Sequence, residues 1–208
     1  VDGVVVKITY AFGMVPSGVY LIDETQSIYV YDSDLAQRVK IGDQITVCAE
    51  KTYWILESEQ SNAAKYGYKG CNQLENAILI SEPADSEGGF DKSIIPESTV
   101  KKIMNTPVSE DITTSVFKVN ALVKRSEGTG FNNYYFYDLD GKTGSYTYTQ
   151  CNGSDFAYLD EFDGKICTVY LSVINAKSTS SGCLYRFIPI HVEDNGFSFD
   201  SNNVPEHV

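Results

Sequence analysis

Histidine, cysteine and paired carboxylates most often carry catalysis or metal binding, and this sequence offers few of them in a usable spacing. Only two histidines are present, His191 and His207. The common serine-hydrolase, zinc-protease and nucleotide-binding motifs do not occur. A nucleophilic serine or cysteine needs a positioned base, a role that histidine usually fills. The sequence therefore predicts a protein that is not an enzyme and that has no cofactor.

Two acidic clusters are the next candidates for chemistry. They are Asp138-x-Asp140-Gly141 and Asp160-Glu161-x-Asp163-Gly164. A calcium site needs six to eight oxygen ligands at fixed loop positions, and neither cluster supplies that series. Paired carboxylates also serve glycoside hydrolysis, but nothing in the sequence places these in one cleft. Since Asp-Gly is turn chemistry, we predict turns here and no metal site.

The cysteines form no metal-binding pattern either. Five are present, without any C-x-x-C pair: Cys48, Cys71, Cys151, Cys167 and Cys183. A structural zinc site needs clustered thiolates or imidazoles, which this spacing does not provide. We expect free thiols, with one disulfide between Cys48 and Cys71 as the alternative.

Tyrosines are the residues whose pattern points to binding, and fifteen are present. Ile28 and Val30 alternate with Tyr29 and Tyr31, so the tyrosines point away from the core if the aliphatic residues fill it. Tyr20 joins them across a predicted hairpin. Exposed aromatic rings of this kind can stack on bases or on sugar rings. Cross-strand packing without any ligand is the alternative.

A long loop before the fifth predicted strand adds a mildly basic aromatic rim. The predicted ligand-binding residues of both regions are Tyr20, Tyr29, Tyr31, Tyr53, Trp54, Tyr66 and Lys69. In the second half of the chain, Tyr146 and Tyr148 alternate with threonines, and there we expect the tyrosines on the core side.

The elements that must position these residues follow one pattern that occurs twice. Alternating segments at 4–10, 19–22, 27–31, 44–49 and 76–80 read as strands, with a helical turn at 34–38. The same order returns at 117–124, 134–138, 146–149, 168–173 and 186–192, with 155–162 in the place of the helical turn. Five strands with a helix before the fourth is the layout of the OB fold. A β-sandwich fits the strand count but gives no reason for that helix.

We therefore predict an all-β chain of two five-stranded OB-like Greek-key barrels in tandem, with a short linker helix. The predicted boundaries are a first barrel at 1–82, a linker at 83–111, a second barrel at 112–194 and a polar tail at 195–208. In the linker, Ser98 is the expected helix cap.

Charge and composition limit the partners. The net charge is −12 and the predicted pI is near 4.5. The electrostatic field of so acidic a protein repels phosphate backbones at long range, but it leaves room for a local basic groove. No apolar run of about 18 residues occurs, so no membrane span is expected. Because the sequence begins at Val1, we expect a processed protein or a piece of a longer one.

A family resemblance rests on three segments, Tyr20–Thr25, Ile28–Tyr31 and Val39–Val47. They resemble the OB-like modules of bacterial secreted and cell-surface proteins, which often lie beside nuclease or phosphatase domains. The resemblance implies an extracellular or cell-surface location and a neighbouring domain that is absent from this chain.

Together these features favour a non-catalytic OB-fold binding module of a larger secreted bacterial protein, with single-stranded nucleic acid or an oligosaccharide as ligand. The alternative is a structural or protein-interaction spacer with no small ligand. The sequence leaves the oligomeric state open.

Overall fold

The chain forms two compact units. The computed structural model describes residues 1–11, 14–24, 26–55, 57, 60–65, 67–86, 89–107, 112–128, 131–147, 154–179 and 182–199. The first unit comprises Val1–Ile95 and Val108–Val116, and the second comprises Pro96–Pro107 and Phe117–Val208.

The first unit is a closed five-stranded barrel with one short added strand. Its strands are β1 (Asp2–Ala11), β2 (Val15–Asp23), β3 (Gln26–Tyr31), β4 (Asp43–Trp54), β5 (Cys71–Leu79) and β6 (Ala84–Asp85). Its helices are α1 (Ser33–Arg38) and α2 (Gln60–Lys65), with 3-10 turns at Lys92–Ile94 and Ile112–Thr114. The strand order is β1-β2-β3-β5-β4, and β1 also pairs with β4, which closes the barrel. This order, with β3 and β5 parallel, is that of the OB fold.

Aliphatic side chains that point inward fill the first barrel. Val19 and Leu21 of β2 point inward with Val30 of β3, while the residues between them point outward. The core cluster consists of Val5, Val19, Leu21, Val30, Leu35, Ala36, Val39, Ile45, Val47 and Leu74. In β1 a bulge between Val5 and Lys7 interrupts the alternation, and Val5 lies in the core although the sequence is apolar at positions 4, 6, 8 and 10.

Helix α1 is fastened to the barrel by one carboxylate. Asp32 is the N-cap, and its Oδ1 accepts a hydrogen bond from the Leu35 backbone N–H at 2.9 Å. Its Oδ2 accepts a second hydrogen bond, at 3.0 Å, from the N–H of Ala77 in β5. The helix before the fourth strand is therefore tied to the fifth strand.

The second unit has the same strand connections. Its strands are β7 (Glu97–Ser98), β8 (Val116–Gly128), β9 (Phe131–Tyr137), β10 (Gly144–Tyr146), β11 (Lys165–Thr179) and β12 (Gly182–Ser198). Helix α3 is Val100–Met104, and a 3-10 helix spans Ser154–Phe162. The order is β10-β9-β8-β11-β12, and a parallel bridge between Thr147 and Phe187 joins the two ends of the sheet. The prediction of two OB-like five-stranded units is confirmed.

The turn into the fourth strand is built alike in both units. The N–H of Gly42 donates to Val5 O at 2.8 Å, and the N–H of Gly164 donates to Val123 O at 2.9 Å. Both glycines have positive φ, 98° and 81°, which a residue with a side chain rarely adopts. Gly42 and Gly164 therefore occupy equivalent positions in the two units.

Several predicted boundaries change. Strand β4 continues to Trp54, and β5 already begins at Cys71. Residues at both ends of the predicted loop pair with each other and so lengthen the two strands. The cap of the linker helix is Thr99 rather than Ser98, since the Thr99 hydroxyl accepts the N–H of Lys102. Strand β12 extends to Ser198, into the stretch predicted as tail, and the segment 83–111 divides between the two units.

The cysteines that the structure describes with their side chains are free thiols. Cys48 is exposed, whereas Cys71 and Cys167 are buried. Cys48 lies opposite Ile78 and Cys71 opposite Trp54, so the alternative disulfide does not form. Burial raises the pKa of the Cys167 thiol to about 11.

Candidate ligand-binding faces

The predicted tyrosines of the first barrel do share one outer face. Tyr20 and Tyr29 lie opposite each other on β2 and β3, with ring centroids 4.8 Å apart and the rings stacked. Tyr31 follows at 6.3 Å from Tyr29 in a tilted arrangement. We call Tyr20, Tyr29 and Tyr31 the first tyrosine face.

Exposure along the first tyrosine face is uneven. Tyr20 is only 3% exposed, while Tyr31 is 50% exposed. The Tyr29 hydroxyl lies 2.8 Å from that of Thr9, and its ring lies over Gly18, where a Cβ would come within 2.6 Å of the tyrosine oxygen. Tyr20 and Tyr29 therefore pack the sheet, and Tyr31 is the ring most open to a ligand.

The neighbours of Tyr31 are unfavourable for phosphate. Glu75 of β5 pairs with Tyr31, and Glu50 of β4 pairs with Glu75 on the next strand. Two carboxylates in adjacent positions on one face repel a further anion. This face can accept hydroxyl donors, but its local charge opposes a nucleic-acid backbone.

The predicted loop residues fall into separate places. Tyr53 is 41% exposed, and the ammonium groups of Lys51 and Lys69 each lie 5.5 Å from its ring centroid. The predicted association of Lys69 with an aromatic ring is therefore present. Trp54 is half-buried and alternates to the other side of β4, opposite Cys71. Tyr66 lies outside the described residues.

A second tyrosine face lies on the second barrel, where the sequence pattern predicted no ligand-binding residues. The rings of Tyr135 and Tyr137 stack with centroids 5.7 Å apart and planes 8° from parallel. Tyr146 of β10 lies 5.5 Å from Tyr135, and the Arg186 guanidinium lies 5.0 Å from the Tyr146 ring centroid. We call Tyr135, Tyr137, Tyr146 and Arg186 the second tyrosine face.

The core of the second barrel positions this face. Tyr134 and Phe136 are fully buried, so alternation turns Tyr135 and Tyr137 outward. Thr147 is 1% exposed and occupies the inner side next to Tyr146. The expectation that Tyr146 lies on the core side is therefore wrong, because the smaller threonine is the residue that fits inside.

The absence of a side chain at Gly144 leaves room for the Tyr137 ring of the second tyrosine face. Gly144 pairs with Tyr137, and a Cβ at Gly144 would lie 2.6 Å from a Tyr137 ring carbon. Burial raises the pKa of the Tyr137 phenol, and the neighbouring Tyr135 raises it further. The ring is thus a neutral stacking surface with a hydroxyl donor.

Two cations neighbour the second tyrosine face. Exposed Lys124 of β8 lies opposite Tyr135, and Arg186 lies beside Tyr146. The second unit has nine Lys or Arg against twelve Asp or Glu, a net charge of −3, whereas the first has seven against sixteen, −9. Most of the negative charge of the chain therefore belongs to the first unit.

The acidic cluster at Asp138 and Asp140 in the second unit accepts hydrogen bonds from the backbone. Buried Asp138 accepts the N–H of Lys101 at 2.8 Å, next to the start of α3. Asp140 accepts the N–H groups of Lys142 and Thr143, each at 2.8 Å. Burial alone would raise the pKa of Asp140, but these hydrogen bonds and the charge of Lys101 bring it below its usual value. The turn interpretation of this cluster is confirmed.

The described part of the chain contains neither a metal-binding cluster nor a membrane-spanning helix. No group of three or more His, Cys, Asp or Glu among those residues is arranged to hold a metal ion. None of the described helices has both the length and the apolar character needed to cross a membrane.

Comparison with known proteins gives distant structural likeness only. No protein-family model matches the chain, and no curated protein matches it by sequence. Among solved structures, a murine DNA-binding protein bound to double-stranded DNA aligns over 93% of this chain and 95% of its own, at 10% identity and a TM-score of 0.42. A p204 HINb domain aligns over 92% and 93%, at 14% identity and a TM-score of 0.36. At these scores the function has to be argued from the residues of this chain.

Proposed function

We propose that this protein is a non-catalytic module that binds single-stranded nucleic acid through the second tyrosine face. The observation that supports this most is the Arg186 guanidinium 5.0 Å from the Tyr146 ring, with Tyr135 and Tyr137 continuing the aromatic surface. In OB folds the surface of the second and third strands is a common place for oligonucleotides, and β9 and β10 are those strands here.

The chemistry of this face fits unpaired bases. Each stacked base contributes about 1–3 kcal/mol when an aromatic ring is available, and the stacking tolerates any base. Arg186 and Lys124 supply charges for the phosphates between the bases. Two phosphate contacts on a single strand predict a slope of log affinity against log salt of about −1.4, so binding weakens modestly with salt.

The test is a titration of the whole chain with a fluorescein-labelled 12-nucleotide oligothymidine, read by fluorescence anisotropy at about 20 and 200 mM NaCl. We expect saturable, salt-sensitive binding. Replacing Tyr135 and Tyr146 together by alanine removes two platforms and weakens binding at least about thirtyfold, since each stacked base contributes at least about 1 kcal/mol. The matched control, Tyr29→Ala with Tyr31→Ala, should leave the affinity within about twofold, since these rings serve the other face.

Circular dichroism of each variant checks that the barrels are folded. The proposal is wrong if the first-face variant loses affinity while the second-face variant keeps it, or if no oligonucleotide binds. Flat curves for nucleic acid and sugar alike would leave the protein-interaction spacer as the remaining function.

A second candidate is oligosaccharide binding at the first tyrosine face. Tyr31 is 50% exposed, and Glu75 lies opposite it on β5. The Glu75 carboxylate can accept hydrogen bonds from sugar hydroxyls beside the stacking ring and repels phosphate. Calorimetric titration with neutral oligosaccharides, comparing Tyr31→Ala with Tyr31→Phe, tests this candidate, because only the alanine variant removes the ring.

The cellular setting is part of the same proposal. The resemblance of residues 20–25, 28–31 and 39–47 to modules of secreted and cell-surface bacterial proteins supports a place outside the cell, beside another domain. Finding the parent protein in the cytoplasmic fraction of its host would contradict that part alone.

A further inference from the structure

A cavity of about 740 Å³ lies in the first unit, and none of its lining residues belongs to the proposed nucleic-acid site. Its size lies within the range of small-molecule sites. Its strand lining includes the half-buried Ile28 of β3 beside two core residues, Leu21 of β2 and Leu74 of β5, and most of its other lining residues are polar or charged. This lining favours a ligand that has a small apolar part and polar ends.

One side of the cavity is acidic. Asp23 and Glu24 lie at the β2–β3 turn, both are exposed, and both line the cavity. Asp2 at the start of β1 lines it as well and accepts a hydrogen bond from the Thr46 hydroxyl. These carboxylates favour a cationic group at this side.

The other side carries a cation and neutral hydrogen-bonding groups. Lys51 of β4 lines the cavity with Asn72 and Thr114. The Lys51 ammonium lies 5.5 Å from the Tyr53 ring centroid, an attraction that holds the charge near the rim. This side favours an anionic group.

Strand register gives the offset of the two sides along the strands. Asp23 pairs with Gln26 at the start of β3. Lys51 pairs with Leu74, which in turn pairs with Val30 of β3. Gln26 and Val30 are four residues apart, so the offset along β3 is about 13 Å, and the spacing between the strands adds to it.

We propose that this cavity binds a short peptide with both termini free, its ammonium at Asp23 and Glu24 and its carboxylate at Lys51. An extended chain spans at most about 3.3–3.6 Å per residue, so at least about four residues are needed to cover the 13 Å offset. An apolar side chain of the peptide packs on the half-buried Ile28. A phosphate or a fatty acid carries an anionic group but no cation, so it would either face the carboxylates or leave the acidic side without a cation. A polyamine carries no anion, so one of its ammonium groups would face the ammonium of Lys51.

The probe is the tetrapeptide Ala-Leu-Ala-Leu, with its N-acetylated and C-amidated forms, titrated into the whole chain and followed by isothermal titration calorimetry. Hydrogen bonds to charged groups are the stronger ones, so blocking either end should weaken binding about tenfold. In Lys51→Met the amidated and free peptides should bind alike. In Asp23→Asn the difference between the acetylated and free peptides should shrink.

Lys69→Met is the matched control, because Lys69 also approaches the Tyr53 ring but does not line the cavity. It should leave the affinity for the free peptide unchanged. The proposal is overturned if a blocked peptide binds as tightly as the free one, if Lys69→Met acts like Lys51→Met, or if no peptide binds at millimolar concentration. Oligothymidine binding is measured on other residues, so either result can fail without the other.

Discussion

Asp32 should be one of the most sensitive positions of the first barrel. Its two carboxylate oxygens accept two backbone N–H groups, from Leu35 at 2.9 Å and from Ala77 at 3.0 Å. Replacing an N-cap by alanine costs about 0.5–2 kcal/mol. A hydrogen bond to a charged group contributes about 1.5–3 kcal/mol. Asp32→Ala should therefore lower the free energy of unfolding by about 2–5 kcal/mol.

Asp32→Asn separates the two contacts. The asparagine oxygen can still cap α1, but its NH₂ group would face the N–H of Ala77, a donor against a donor. We expect a loss of about 1–2 kcal/mol, clearly less than for alanine. The matched control is Thr99→Ala, which removes a cap with one contact in the second unit and should cost about 1 kcal/mol.

The assay is urea unfolding followed by the fluorescence of Trp54, the single tryptophan, which belongs to the first unit. Asp32→Ala should shift the Trp54 transition to lower urea, and Thr99→Ala should leave it in place. A loss below about 0.5 kcal/mol for Asp32→Ala, or equal losses for asparagine and alanine, would refute the reasoning.

Three further expectations concern packing, acid stability and thiol reactivity. Gly144→Ala places a Cβ 2.4 Å from the carbonyl oxygen of Phe136, so it should lower the free energy of unfolding by about 1–3 kcal/mol in a thermal melt. The pKa of Asp140 is lowered from 3.8, so its contribution is present above that value and is lost as the pH falls below it. Asp140→Asn should then flatten the acid limb of the stability profile, and an unchanged limb would contradict this. Cys48 is exposed and Cys167 buried, so iodoacetamide should label Cys48 in the native protein and Cys167 only after unfolding, as peptide mass spectrometry can show.

The fold could be predicted from the sequence because its signals are local. Alternation in the segment Ile28–Tyr31 assigns inner and outer faces. The Gly42 and Gly164 turns mark the entry into the fourth strand in both units. The ends of the strands were harder to predict from the sequence. The pairing of Tyr53 with Asn72 continues β4 into a segment whose polar residues suggested a loop.

Only part of the candidate site could be predicted from the sequence. The outward direction of Tyr29 and Tyr31 follows from alternation, but the Glu50–Glu75 pairing beside them depends on which strands become neighbours. The second tyrosine face depends on the same long-range information, since Arg186 comes forty residues after Tyr146 in the chain. The one local signal was the alternation of Tyr134 and Phe136 with Tyr135 and Tyr137.

Photo-crosslinking with an oligothymidine that contains 5-iodouracil tests the central claim most directly, because a stacked iodouracil reacts with the aromatic ring it contacts. Peptide mass spectrometry of the irradiated complex then locates the contact on the whole chain. The account predicts crosslinks at Tyr135, Tyr137 or Tyr146, and their loss when unlabelled oligothymidine competes. Crosslinks confined to Tyr31 or Tyr53, or none under conditions of full binding, would contradict it.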